Sequence, residues 1–300
     1  MDFATATLRE ALAAKNKNRT EEHIEDTRRA QEKIGKLLEK LHDQNLFYQT
    51  VMFRNFIGSW VAPKEQAHDG VLIYLHGGGY CCGNLEYAKG FASVLADKYK
   101  IRVFTAAYRL APEYPFPAAL DDAVEIYNYI RRFGYENEKI ILVGESAGGG
   151  LINALALKLR DEQNELPGGI ISISPWTDLT MSGDSFNGKA EDDVALNQNQ
   201  INYYADIYLN GQDAKNPYIS PIYGDFHSFP PSLIFVGGDE MLYDDSARLY
   251  KKLNAAGVQC ELSVGEGLWH VYPLYGIKES KPVYDSIRNF IKTVLKIQVV

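Results

Sequence analysis

Three hundred residues suffice for one large domain, or a domain carrying an insert, with a substantial buried core. A formal charge of −8, with 46% hydrophobic and 23% charged residues, describes a globular chain without the clustered basic surface that nucleic-acid binding needs. Three cysteines, Cys81, Cys82 and Cys260, form neither a disulfide framework nor a metal-ligand spacing, and no apolar run approaches a membrane span. The first residues lack the basic start and apolar stretch of a secretory signal. The expectation is a cytoplasmic monomer or homodimer with a small-molecule partner, no metal or cofactor, and no nucleic-acid or membrane partner.

The segment 1–46 is dense in charges of both signs. Within "EEHIEDTRRAQEKIGKLLEKLHDQ", Ile34, Leu37, Leu38 and Leu41 recur at helical spacing, and Thr20 is placed to cap the helix start. This predicts a largely solvated helix whose apolar stripe docks on another element, covering the mouth of a site. From Phe47 the texture becomes strand-like. Short apolar runs, "VLIYL", "IRVFTAAY", "KIILVG", "GGIISIS", "SLIFVGG" and "CELSV", are then mostly separated by helical patterns. Continuous apolar strands alternating with helices predict an α/β fold with a mostly parallel sheet covered on both faces. The stretch 179–217 breaks the rhythm with a polar loop and the aromatic "NQNQINYYADIYLNG", as a lid or binding insert does. The organisation predicted is a core over 47–178 and 218–300, an N-terminal helical segment 1–46, and an insert 179–217.

One short stretch concentrates the chemistry. "ILVGESAGGGL" places Ser146 between glycines immediately after an apolar run. A G-x-S-x-G pattern between strand and helix is a nucleophile elbow; a glycine-rich turn with a capping serine is the bland alternative. Position decides between them, because an open parallel sheet gathers reactive groups at the carboxyl ends of its strands. Ser146 follows "KIILVGE", "HGGGY" follows "VLIYL", Asp239 follows "SLIFVGG", and His270 follows "CELSVGEGLW". The order Ser, Asp, His is that of an α/β-hydrolase triad.

Taken together, "HGGGY", "YRLAPEYPFPAALDDA", "GESAGGG", "SPWTDL", "GGDEMLYDD" and "WH" resemble the hormone-sensitive-lipase-type carboxylesterases of the α/β-hydrolase fold. The resemblance implies a serine esterase acting on short acyl esters beneath a helical cap. It departs at Glu145, where this family more often has Asp. Ser146 would then be the nucleophile, His270 its base, and Asp239 the acid that orients the imidazole. The resemblance and the elbow geometry assign the oxyanion hole to the N–H groups of Gly78, Gly79 and Ala147.

Each assignment has a rival. Asp244 and Asp245 lie one helical turn beyond Asp239 and read as first-turn charges of the next helix. Glu145 reads as a structural carboxylate beside the elbow, Cys81 and Cys82 as packing under the glycine loop, and His76 as that loop's orienting hydrogen bond. Aromatic residues Trp176, Tyr204, Tyr208, Trp269 and Tyr272 are candidates for the substrate pocket, or else core of the cap. An amidase or peptidase with the same triad, or a non-catalytic binding protein on the same fold, remains open at this level.

Overall fold

The computed structural model describes residues 1–17, 24–65 and 67–297, so Thr20, the expected helix cap, lies outside the described residues. Its centre is an eight-stranded sheet in the order β1-β2-β4-β3-β5-β6-β7-β8. The strands are β1 (Leu46–Met52), β2 (Ile57–Pro63), β3 (Val71–Leu75), β4 (Arg102–Ala107), β5 (Ile140–Glu145), β6 (Gly169–Ile173), β7 (Ser232–Gly237) and β8 (Cys260–Gly265). Strands β3 to β8 run parallel, and β1 and β2 add antiparallel neighbours at one edge. β3, β5, β6 and β7 are buried along their whole length, which is why each reads as a continuous apolar run instead of an alternating one.

Helices α1 (Phe3–Lys17) and α2 (Ile24–His42) precede the sheet. Then come α3 (Leu85–Tyr99), α4 (Ala118–Phe133), α5 (Ala147–Asp161), α6 (Asp184–Gly188), α7 (Gln198–Leu209), α8 (Tyr243–Ala255) and α9 (Lys281–Leu295). Two apolar cores result, one on each face of the sheet. Leu72, Tyr74 and Val143 point into the core with α3 and α9, whereas Ile73, Leu142 and Ile170 join Leu151 and Leu155 of α5 and Ile126 of α4. Alternate residues of one strand thus serve opposite cores.

Helix α2 docks differently from the expectation. Ile34, Leu37 and Leu41 face solvent, Leu41 at 68% exposure. The helix instead turns Gly35 inward, where an added Cβ would lie 2.2 Å from the Glu86 carbonyl oxygen, and Gly90 of α3 meets the Gly35 backbone in turn. Polar contacts complete the crossing: Arg28 donates to the Cys81 carbonyl at 2.8 Å, Lys89 pairs with Glu39 at 3.0 Å, and His42 meets Asp97 at 2.7 Å. Close backbone approach and ion pairs, not leucines, hold α2 on α3.

Helix α1 lies over the carboxyl ends of the last strands. Arg9 donates to the Gly267 carbonyl at 2.7 Å, and Asn16 reaches the carbonyls of Asp193 and Leu196 within the insert. Among the described residues no helix is long and apolar enough to cross a membrane.

Candidate active site

Ser146 sits between the end of β5 and the start of α5 at φ 53° and ψ −123°, a backbone conformation that L-residues rarely adopt. The flanking glycines explain how the turn closes. A Cβ on Gly144 would meet the Gly148 carbonyl oxygen at 2.4 Å, and one on Gly148 would meet that of Leu75 at 2.1 Å. The Ser146 N–H donates to Ile173 at the end of β6, and the Ser146 carbonyl accepts from Trp176. The serine is thereby pinned at the carboxyl edge, the residue being 8% exposed.

The loop after β3 runs beside it. Gly78 and Gly79 have φ of +116° and +63°, and a Cβ on Gly77 would lie 2.9 Å from that of Ser146. Among the described residues, the N–H groups of Gly78, Gly79 and Ala147 have no acceptor of their own. Buried side chains hold the loop. Tyr108 donates to the His76 carbonyl at 2.7 Å and stacks on its ring at 4.4 Å, while His76 Nδ1 meets the Gly77 carbonyl at 2.7 Å. Burial depresses the His76 pKa to about 4, so this imidazole is neutral and a loop strut. Arg109, next in chain, is clamped by the buried Asp122.

His270 is buried, and its Nδ1 meets Oε1 of Glu240 at 3.2 Å. Asp239, the expected partner, is not there. Its carboxylate is partly exposed and pairs with Arg9 at 2.8 Å. The turn after β7 explains the exchange: the Gly237 N–H donates to Glu240 Oε2 at 2.8 Å, folding the longer side chain back over the strand end toward His270. Asp244 and Asp245 are engaged elsewhere. Asp244 accepts from the Ser185 N–H, and Asp245 accepts from the N–H groups of Thr177 and Asp178 at 2.6 and 2.8 Å.

Ser174, which sequence reasoning passed over, joins these parts. Its hydroxyl donates to Glu240 Oε2 at 2.7 Å and accepts from the Val271 N–H at 3.0 Å. Ser146 is bonded to Ile173 and Val271 to Ser174, so the end of β6 brings the serine and histidine loops together. The signal was available, since "SISPW" places Ser174 just past an apolar strand. Among the described residues no hydrogen bond yet joins Ser146 Oγ to His270, as is common in resting sites whose contacts tighten with substrate. Burial alone would lower the His270 pKa; the carboxylates of Glu240, Asp193 and Glu145 outweigh it and raise it. Asp193 belongs to the insert and also accepts from the Met241 N–H at 2.9 Å, tying the insert to the Glu240 turn.

The aromatic candidates divide. Trp176, Tyr208 and Trp269 are fully buried: Tyr208 stacks on Tyr80 at 3.9 Å, and Trp269 packs edge-on against Tyr275. Tyr272 is also buried, against Gly265. These four are buried side chains of the packed interior. Tyr204 lies against the loop glycines, where a Cβ on Gly79 would strike its ring at 2.2 Å, and its hydroxyl lies 3.3 Å from Cys82 Sγ. Cys81 and Cys82 are buried beneath that loop, and burial raises the Cys81 thiol pKa, which suits packing and not redox chemistry. No group of acidic, histidine and cysteine side chains suited to holding a metal occurs among the described residues.

A strained serine at the end of a parallel strand, glycine N–H groups beside it and a carboxylate-bound histidine define the α/β-hydrolase class. A family model described as alpha/beta hydrolase fold matches residues 72–274, and the chain belongs to that family. An acetyl-hydrolase of Streptomyces hygroscopicus is 36% identical over 237 residues, 78% of this chain and 79% of that protein. An esterase of Acinetobacter venetianus is 31% identical over 231 residues, 76% of each chain. Among solved structures, that of an esterase from the bacterial hormone-sensitive lipase family superposes with a TM-score of 0.90 at 31% identity, over 98% of this chain and 99% of that one. The esterase EstE5, soaked with p-nitrophenyl butyrate, superposes with a TM-score of 0.92 at 32% identity, over 99% of this chain and all of that one. The protein is thus a carboxylic ester hydrolase of the hormone-sensitive-lipase type.

Proposed function

We propose that this enzyme is a serine carboxylesterase for short acyl esters, using Ser146, His270 and Glu240 and passing through an acyl-enzyme. The observation that carries the reading is the Glu240–His270 contact at 3.2 Å on a loop tied, through the end of β6, to the strained Ser146. Glu240 holds the proton on Nδ1, which leaves Nε2 to accept the Ser146 proton as Oγ attacks the ester carbonyl. The resulting oxyanion takes hydrogen bonds from the N–H groups of Gly78, Gly79 and Ala147, which among the described residues have no acceptor to give up. Collapse expels the alcohol, protonated by the imidazolium. Water then attacks the acyl group with His270 again as base, releasing the acid and restoring Ser146.

Short acyl chains fit two observations. The nucleophile is nearly covered, and the hydrogen bonds from α1 to the stretch 179–217, and from that stretch to the turn after β7, support reading them as a cap. The relatives' names add support, one being an acetyl-hydrolase and one structure having received a butyrate ester. Turnover of p-nitrophenyl acetate beside p-nitroacetanilide tests the class. Ester cleavage exceeding anilide cleavage by orders of magnitude is expected; comparable rates would make the enzyme an amidase, and no turnover of either would make it a binding protein.

A further inference from the structure

Glu145, the residue immediately before the nucleophile, has no part in the proton transfers above, yet its carboxyl group is buried at the centre of the site. Oε1 accepts the Gly77 N–H at 2.6 Å and the Tyr87 hydroxyl at 3.3 Å. Oε2 is buried without a hydrogen-bond partner among the described residues. Gly77 is the first glycine of the loop whose next two N–H groups face the reacting carbonyl. The bond from Oε1 therefore joins the nucleophile elbow directly to the oxyanion loop, and a short bond to a carboxylate is the stronger kind.

We propose that Glu145 is a positioning residue that clamps the oxyanion loop onto the nucleophile elbow through Gly77. The proposal rests on Ser146 as nucleophile and the glycine loop as oxyanion hole. Other struts fix the loop from behind: Tyr108 holds the His76 carbonyl and His76 holds the Gly77 carbonyl. Among the described residues, only Glu145 reaches a loop N–H from the serine side. Its chain adjacency to Ser146 means that the distance between oxygen nucleophile and oxyanion donors is set across a single side chain. Placement errors of that distance are costly, because the donors must meet the oxyanion and not the ground-state carbonyl.

The carboxylate has a second consequence. The groups facing it are Tyr74 from β3, Tyr87 from α3, His76 of the loop itself, Tyr108 after β4, and His270. Burial keeps the three phenols protonated and His76 neutral. Among these groups, Glu145 and His270 are therefore the ones left to change charge. Burial raises the Glu145 pKa to about 7, against the opposing pull of the Tyr74 hydroxyl and the Gly77 N–H. Its negative form helps raise the pKa of His270.

Two substitutions separate the clamp from the charge. Glu145→Asp keeps the charge but shortens the side chain by one methylene, drawing the carboxylate back from the Gly77 N–H in a loop built around Glu. It should lose roughly 10- to 100-fold in kcat with KM changed less than about threefold, and a trifluoromethyl ketone inhibitor should weaken in proportion. The acid limb of its pH profile should stay in place. Glu145→Gln keeps an acceptor of full length and removes the charge. It should retain most of the wild-type kcat while the acid limb of kcat/KM moves to lower pH. A merely structural role would lower the melting temperature without this division. The proposal is overturned if Glu145→Asp matches wild type in kcat and ketone affinity, or if Glu145→Gln loses as much kcat as Glu145→Asp. Activity surviving in Ser146→Ala would instead defeat the reading of the site itself, independently of either result.

Discussion

The imidazole of His270 meets Glu240 and not its neighbour because consecutive residues in the tight turn after β7 face opposite ways. Asp239 is drawn outward to Arg9, and Glu240 is drawn inward by the Gly237 N–H and the Ser174 hydroxyl. Replacing Glu240 with Gln leaves an amide that no longer stabilises the imidazolium or fixes its tautomer, and kcat should fall by about 10⁴-fold. Asp239→Asn should stay within a few-fold of wild type, having lost only a partly exposed ion pair. Steady-state kinetics on p-nitrophenyl acetate distinguishes these outcomes, and the reverse ranking returns the acid to Asp239. The pH profile adds a check. In the proposed mechanism His270 works as base when neutral, and its carboxylate neighbours raise its pKa above 6.5. Activity should therefore be lost as pH falls through a value above 6.5, and an acid limb centred below 6.5 would contradict the arrangement. In the sequence, "GGDE" set the acid within one residue but not which residue, because strand-end position is periodic and turn direction is not. Ser146 and His270 stand out because each follows an apolar run, in the chain order Ser, Asp, His. Ser174 obeyed the same rule and opens "SPWTDL", but its hydroxyl was given no role there.

At the level of elements, helix α2 shows where hydrophobic spacing misleads. Ile34, Leu37 and Leu41 recur as a core stripe would, yet the contact runs through Gly35, Arg28, Glu39 and His42. Periodicity reports an apolar stripe without reporting which face a close backbone crossing selects. Two substitutions weigh the alternatives. Gly35→Val places a branched side chain where the Glu86 carbonyl already lies 2.2 Å from an added Cβ, so α2 must separate from α3. Overpacking of this kind typically costs about 1–3 kcal/mol. Leu37→Ser removes only exposed surface and should shift stability by less than about 0.5 kcal/mol. Hydrogen exchange should speed up along α2 in the first variant while the central strands stay protected. Equal effects of the two variants would mean that the stripe is the docking face after all. The strands were the most legible elements, since burial on both faces leaves a continuous apolar run that little else in the chain imitates.

For the molecule as a whole, the covered serine and the packed aromatics behind it bear on which esters enter. Trp176, Tyr208 and Trp269 are fully buried, so on the proposed reading a longer acyl chain would have to displace packed rings. Each added methylene gains up to about 0.8 kcal/mol only while apolar cover remains, and displacing packed rings costs about 1–3 kcal/mol. The kcat/KM for p-nitrophenyl esters should hold or rise to about four carbons and then fall by an order of magnitude or more. A maximum at eight carbons or longer would show an open channel. Pocket shape was the least legible property, because it depends on how the insert and α1 settle on the sheet and not on any local spacing.

The central claim, that Ser146 carries the acyl group, is tested most directly by acid-quenching the enzyme during turnover of p-nitrophenyl acetate and mapping acetylated peptides by mass spectrometry. The acetyl group should appear on the peptide containing Ser146 and disappear in Ser146→Ala, whose turnover should drop by roughly 10⁴-fold or more. Acetylation of any other residue at turnover-competent rates, or full activity in Ser146→Ala, would contradict the account.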